Sequence, residues 1–121
     1  METMFAFTNL KVYQKSMELV AEVYRLVKLF PSEEKYALSD QLRRAAISVP
    51  SNIAEGLGRS YQKETRHFID MAYGSLMEVF CQIEIAHSVG YIDVEERERI
   101  NEQIVEIAKM LSGLTKKFSE E

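Results

Sequence analysis

The sequence predicts an all-α fold, an up-and-down antiparallel four-helix bundle, on three observations. Apolar residues recur at three and four positions in four separate stretches, the spacing of one helical face. The connections between these stretches are a few residues long, which makes consecutive helices antiparallel neighbours. Only two prolines and five glycines interrupt the 121 residues. One domain is expected at this length, over residues 8–118, with residues 1–7 and 119–121 as loose termini.

The first helix reads from Leu10 to about Phe30, with Asn9 as a cap for its free amides. One row on it is Tyr13, Met17, Val20, Tyr24 and Val27; a second is Val12, Leu19, Val23, Leu26 and Phe30. Together they are wider than one neighbour needs. Pro31 stops the helix, because the residue before a proline is pushed out of the α region.

The second helix starts near Tyr36, or at Ser39 if that side chain is the cap. Its buried stripe is Leu38, Leu42, Ala45, Ala46, Val49, Ile53 and Leu57. Pro50 lies inside the stripe, cannot donate to the Ala46 carbonyl and predicts a kink. Ser48 and Ser51 are placed to help satisfy freed backbone groups. Gly56 or Gly58 is expected to end the helix in the left-handed conformation.

The third helix runs from a cap at Ser60 to about Val89, ended by Gly90. At about 100° per residue, Phe68, Ile69, Ala72, Tyr73, Leu76, Val79, Phe80 and Ile83 fill one arc, extended by Met71, Ile85 and Val89. The apolar sector spans roughly 200°, twice that of a one-sided surface helix. The fourth helix starts at an Asp93 cap, with Glu95 and Glu96 well placed in its first turn. Its seam, Ile100, Ile104, Ile107, Leu111, Leu114 and Phe118, is narrow, as in coiled-coil packing. The first and third helices therefore carry apolar surface beyond one bundle interior, which predicts self-association.

Composition narrows the function classes. Net charge is −4, against nucleic-acid binding by bulk charge though not by a local patch. The single cysteine, Cys81, excludes an intramolecular disulfide and fits a cytoplasmic setting. No signal peptide is read at the N-terminus, and no stretch approaches the ~20 apolar residues of a membrane span. Neither a nucleophile motif nor a phosphate loop is present, and Gly56-Leu57-Gly58 has no βαβ context. His67, His87 and Cys81 do not share a helical position, so no metal and no cofactor is expected.

Two constellations remain. Asn52 and Glu55 sit one turn apart on the second helix, and Glu78 falls near the inner surface of the third. A carboxylate there needs a cation or its pKa rises. One reading is a structural polar network of Asn52, Glu55, Ser75 and Glu78 that fixes helix register. Another is a site holding an arginine toward a ligand. A third, acid/base work by the two carboxylates, lacks a nucleophile or substrate pocket. The second constellation is basic. Between Gln41 and Arg66, Arg43, Arg44, Arg59, Lys63 and Arg66 stand against Glu55 and Glu64, whereas from Asp93 onward eight acids stand against five bases. The corner between the second and third helices is thus basic in an acidic chain. Such a corner reads as a solvated surface, as one side of inter-subunit ion pairs, or as a phosphate-backbone contact, with Tyr36 and Tyr61 available to stack on bases.

Several runs also resemble a known family: Asn9-Leu10-Lys11-Val12-Tyr13-Gln14-Lys15, Gln41-Leu42-Arg43-Arg44-Ala45-Ala46, Ser48-Val49-Pro50-Ser51-Asn52-Ile53-Ala54-Glu55-Gly56, and Phe68-Ile69-Asp70-Met71-Ala72-Tyr73-Gly74-Ser75-Leu76-Met77-Glu78. They are similar to the bacterial four-helix-bundle proteins encoded by intervening sequences in 23S ribosomal RNA genes. The likeness extends from about Phe7 to Phe118. It implies a homopentamer and a distant relation to the accessory protein of diversity-generating retroelements, which assists a reverse transcriptase and binds nucleic acid. The signature positions are Arg43, Arg44, Pro50, Asn52, Glu55, Gly56, Arg59, Gly74, Ser75 and Glu78. The ribosomal RNA in the family's description refers to gene location, not to ribosome binding. The expectation is a non-enzymatic homo-oligomeric bundle. It binds RNA or a nucleic-acid-processing partner through Arg43, Arg44, Arg59, Lys63 and Arg66, or else serves as a protein-interaction scaffold without nucleic acid.

Overall fold

A computed structural model describes residues 5–119. Four helices follow in order: α1 Lys11–Val27, α2 Leu38–Leu57, α3 Gln62–Ser88 and α4 Val94–Ser119, with short 3-10 turns at Ala6–Asn9 and Ser32–Glu34. Among the described residues there is no strand. Each of α1 and α3 packs against both α2 and α4, the arrangement of an up-and-down bundle. Cross-helix pairs fix the directions. Lys15 and Arg25 of α1 meet Glu106 and Glu96 of α4 at 3.5 and 2.9 Å. Glu84 of α3 meets Arg97 of α4 at 2.8 Å, and Arg66 donates to the Phe118 carbonyl at 3.4 Å. Both pairings run antiparallel.

The expected seams supply the core. α2 buries Leu42, Ala45, Ala46, Val49 and Ile53; α4 buries Ile100, Ile104, Ile107 and Leu111, with Leu114 and Phe118 half-buried. On α1 the two rows separate. Val12, Leu19, Val23, Leu26 and Phe30 are buried, while Met17 and Tyr24 stay 48% and 43% exposed. α3 behaves likewise: Ile69, Ala72, Leu76, Val79 and Ile83 are buried, whereas Met71, Tyr73, Phe80, Ile85 and Val89 are exposed. One bundle interior covers only part of each wide sector.

Helix ends follow the sequence where the signal is local. Asp93 Oδ1 accepts the Glu96 amide at 2.8 Å. Gly90, at φ 86°, closes α3, and the Tyr91 amide reaches back to the Ala86 carbonyl at 2.8 Å. Elsewhere neighbouring turns or contacts override it. Asn9 does not cap α1. It lies in the Ala6–Asn9 turn, which Thr8 Oγ1 and Gln14 Nε2 tie down through the Phe5 and Thr8 carbonyls, and Leu10 takes the N-cap position. Phe7 packs edge-on against Tyr13 at 5.2 Å, so part of the N-terminal segment is anchored to α1. Residues 1–4 and 120–121, also expected loose, lie outside the described range.

α1 ends its α geometry at Val27, and Leu29 and Phe30 continue with tighter bonds to Leu26 and Val27 before Pro31. Neither Tyr36 nor Ser39 caps α2. Ser39 is buried, and the Leu38 amide is accepted by Glu34 Oε1 at 3.3 Å. The other oxygen of Glu34 accepts the Tyr91 hydroxyl at 2.6 Å, joining the start of α2 to the α3–α4 connection. Tyr61, not Ser60, precedes α3, with no side-chain cap.

Pro50 sits inside an unbroken α2. Ser48 Oγ donates to the Arg44 carbonyl at 3.0 Å and Asn52 Nδ2 to the Ser48 carbonyl at 2.9 Å, so neither reaches the Ala46 carbonyl that Pro50 leaves without an amide. Such back-bonds and a proline both favour bending. Neither Gly56 nor Gly58 is left-handed; among the described residues only Gly90 has positive φ. Gly56 serves close approach instead. A Cβ there would stand 2.8 Å from Phe68 Cβ, and Thr65 Oγ1 donates to the Gly56 carbonyl at 2.8 Å.

Candidate functional site

The antiparallel topology divides the basic residues predicted on α2 and α3 between two ends of the bundle. Arg43 and Arg44 lie near the start of α2 and Arg59 just past its end, about 22 Å apart at 1.5 Å per residue. They do not form one corner with Arg59, Lys63 and Arg66. The Arg43 guanidinium lies 6.0 Å from the Tyr24 ring centroid, and Arg44 pairs with Asp40 at 2.9 Å.

The far end of α2 gathers the rest. Arg59 pairs with Glu55 at 3.0 Å and lies over the Phe68 ring at 4.7 Å. Arg66, in the first turns of α3, is tied to the end of α4 through the Phe118 carbonyl. That contact brings Lys116 and Lys117, in the last turn of α4, to the same end. Both are exposed, as is Lys63, and among the described residues these three lysines have no acid partner. The sequence reading missed Lys116 and Lys117 because it took the acidic fourth segment as one block. The signal was the topology, since an antiparallel α4 must end where α3 begins.

The opposite end is acid-rich and largely satisfied within the chain. Glu96 accepts from Arg25 and Arg99, and Glu84 from Arg97 and Asn101. The Arg25 guanidinium, more than any other contact, holds the Glu96 carboxyl below its ordinary range; Arg97 does the same for Glu84. The Tyr91 hydroxyl is pushed up by its bond to Glu34.

The expected polar network does not close within one chain. Asn52 turns to the Ser48 carbonyl and Glu55 to Arg59, while Glu78 is exposed. Among the described residues no hydrogen bond links Asn52, Glu55, Ser75 and Glu78 to one another. Glu55 has a cation four residues on, just past the end of its own helix, at 3.0 Å. Cys81 is exposed on α3, and among the described residues no three His, Cys, Asp or Glu side chains converge.

Apolar grooves flank these features. One of ≈ 290 Å³ runs between α1 and α2, lined by Tyr13, Met17, Val20, Ile47, Pro50, Ser51 and Ala54. Another, ≈ 380 Å³, lies between α3 and α4 and is lined by Tyr73, Ala108, Lys109, Ser112, Gly113 and Lys116. Among the described residues no helix is long and apolar enough to cross a membrane.

Residues 8–113 match the family model described as 23S rRNA-intervening sequence protein. The chain belongs to this family. A solved structure agrees over most of the fold: a protein of unknown function from the S23 ribosomal protein family of Bacteroides thetaiotaomicron, with a TM-score of 0.80 and 27% identity. The match covers 87% of this chain and 98% of that one. No curated protein is a significant match. The family match spans the Pro50 segment and most of α4, but stops short of Lys116 and Lys117.

Proposed function

We propose that this family member is a non-enzymatic, self-associating bundle, a homopentamer, that binds RNA through the basic end of each copy. The carrying observation is the convergence of Arg59, Lys63 and Arg66 with Lys116 and Lys117, three of them lysines without an acid partner among the described residues. Unpaired lysines exchange counterions for phosphates at little cost, and a ring repeats the patch, so avidity strengthens a modest contact. The exposed rows on α1 and α3 support self-association. A single, exposed cysteine fits the reducing cytoplasm.

The test is fluorescence anisotropy with a structured RNA at two salt concentrations. Binding at low salt that weakens with Lys63→Ala and Lys117→Ala supports the reading. Arg43→Ala, at the other end, is expected to leave affinity unchanged. No binding at low salt, or indifference to the lysines, overturns it.

A second reading, a protein-interaction scaffold without nucleic acid, is favoured by the pairing of Arg44 with Asp40 and of Arg59 with Glu55. Both pairs are exposed and contribute little, about 0.3–0.5 kcal/mol each, so phosphates can displace them.

A further inference from the structure

Tyr61 stands at the basic end with 70% of its surface exposed. It occupies the bend between α2 and α3, two residues after Arg59 and two before Lys63. Its carbonyl accepts the Thr65 amide and lies 3.3 Å from Thr65 Oγ1, so its backbone is pinned to the first turn of α3. Its ring packs on no other ring among the described residues. A large, rigidly based aromatic left in water, two residues from a cationic side chain on either side in the sequence, is out of keeping with a surface that serves only solubility. The contrast with Tyr36 is instructive. Tyr36 is still more exposed, at 86%, but belongs to the other end, among Glu33, Glu34 and Asp40, with the Lys35 ammonium 5.4 Å from its ring centroid. Tyr61 differs in standing beside Lys63, which has no acid partner among the described residues.

Duplex RNA offers phosphates and 2′-hydroxyls but keeps its base faces stacked inside. An unpaired segment offers both a phosphate track and a free base face, which an exposed aromatic beside cations can receive. We infer that the basic end selects single-stranded over duplex RNA by stacking an unpaired base on Tyr61 while Lys63 and Arg59 hold the flanking phosphates. The inference rests on the RNA-binding reading above and adds its strand preference.

The experiment is an anisotropy titration of the full chain with a single-stranded RNA and with the same sequence annealed into a duplex, at low salt. The expected result is tighter binding of the single strand. Tyr61→Ala weakens single-strand binding by about 5- to 150-fold, the range of one lost base stack, and leaves duplex binding unchanged. Tyr61→Phe keeps the ring and retains most of the affinity, and Tyr36→Ala changes nothing. Equal binding of both RNAs, or a Tyr61→Ala variant that binds the single strand like the wild type, overturns the strand preference and leaves the RNA reading standing. Absence of binding to either RNA overturns both. Tyr61 is mostly exposed, so its replacement leaves the core intact; a circular dichroism spectrum and melting temperature equal to wild type check this.

Discussion

Gly56 is the residue at which α2 and α3 come closest. An added Cβ would lie 2.8 Å from Phe68 Cβ and 3.1 Å from the Thr65 carbonyl oxygen, one on a packed side chain and one on backbone, so the helices must separate to admit it. Gly56→Ala is expected to cost about 1–3 kcal/mol, read as a lower urea midpoint. Gly113→Ala, with nothing within 4 Å of the new methyl, is expected to add about 0.5–1 kcal/mol in the same assay. Sequence alone reads Gly56 as a helix cap, because the neighbour that makes it necessary arrives from the next helix. The Glu55–Arg59 and Asp40–Arg44 pairs were legible, since both place an acid four residues before a base. Glu55 takes that local partner in place of the network with Asn52, Ser75 and Glu78.

At the scale of the helix, legibility depends on whether the signal is local. Asp93 and Gly90 act within their own turn and end their helices as the sequence indicates. Asn9 and Ser60 carry cap chemistry but lose the position to a neighbouring turn and to Tyr61. Glu34, a weak cap by type, serves α2 with Tyr91 holding its other oxygen. Asp93→Ala should destabilise by about 0.5–2 kcal/mol in thermal unfolding. The start of α4 also sets an acid limit. Glu96 has a folded pKa held below the ordinary 4.5, chiefly by Arg25. A depressed pKa means that the unfolded chain takes up the proton first. The pair's contribution is therefore present above pH ~4.5 and lost as pH falls through the lower, folded value. Urea midpoints measured from pH 6 downward should fall for the wild type, and the Glu96→Gln variant should start lower and fall less steeply.

For the whole molecule, topology decides what the linear sequence cannot. Four amphipathic stretches with short connections were enough to give the bundle, because each seam needs the other three. The charge pattern required the folded order. Arg43 and Arg44 separate from Arg59, while Lys116 and Lys117, hidden in an acidic segment, join Lys63. The wide apolar rows are legible in sequence and remain partly uncovered in one chain. Light scattering at micromolar concentration should give five times the 14.0 kDa chain mass, and a monomer mass would contradict the self-association drawn from those rows. The most direct measurement of the central claim is RNA affinity as a function of salt. Arg59, Lys63, Lys116 and Lys117 engaging four phosphates predict a logarithmic slope near −3 for single-stranded RNA, from roughly −0.7 per phosphate, made shallower by Lys63→Ala. A protein that binds no RNA at low salt, or whose affinity ignores both salt and Lys63, would contradict it.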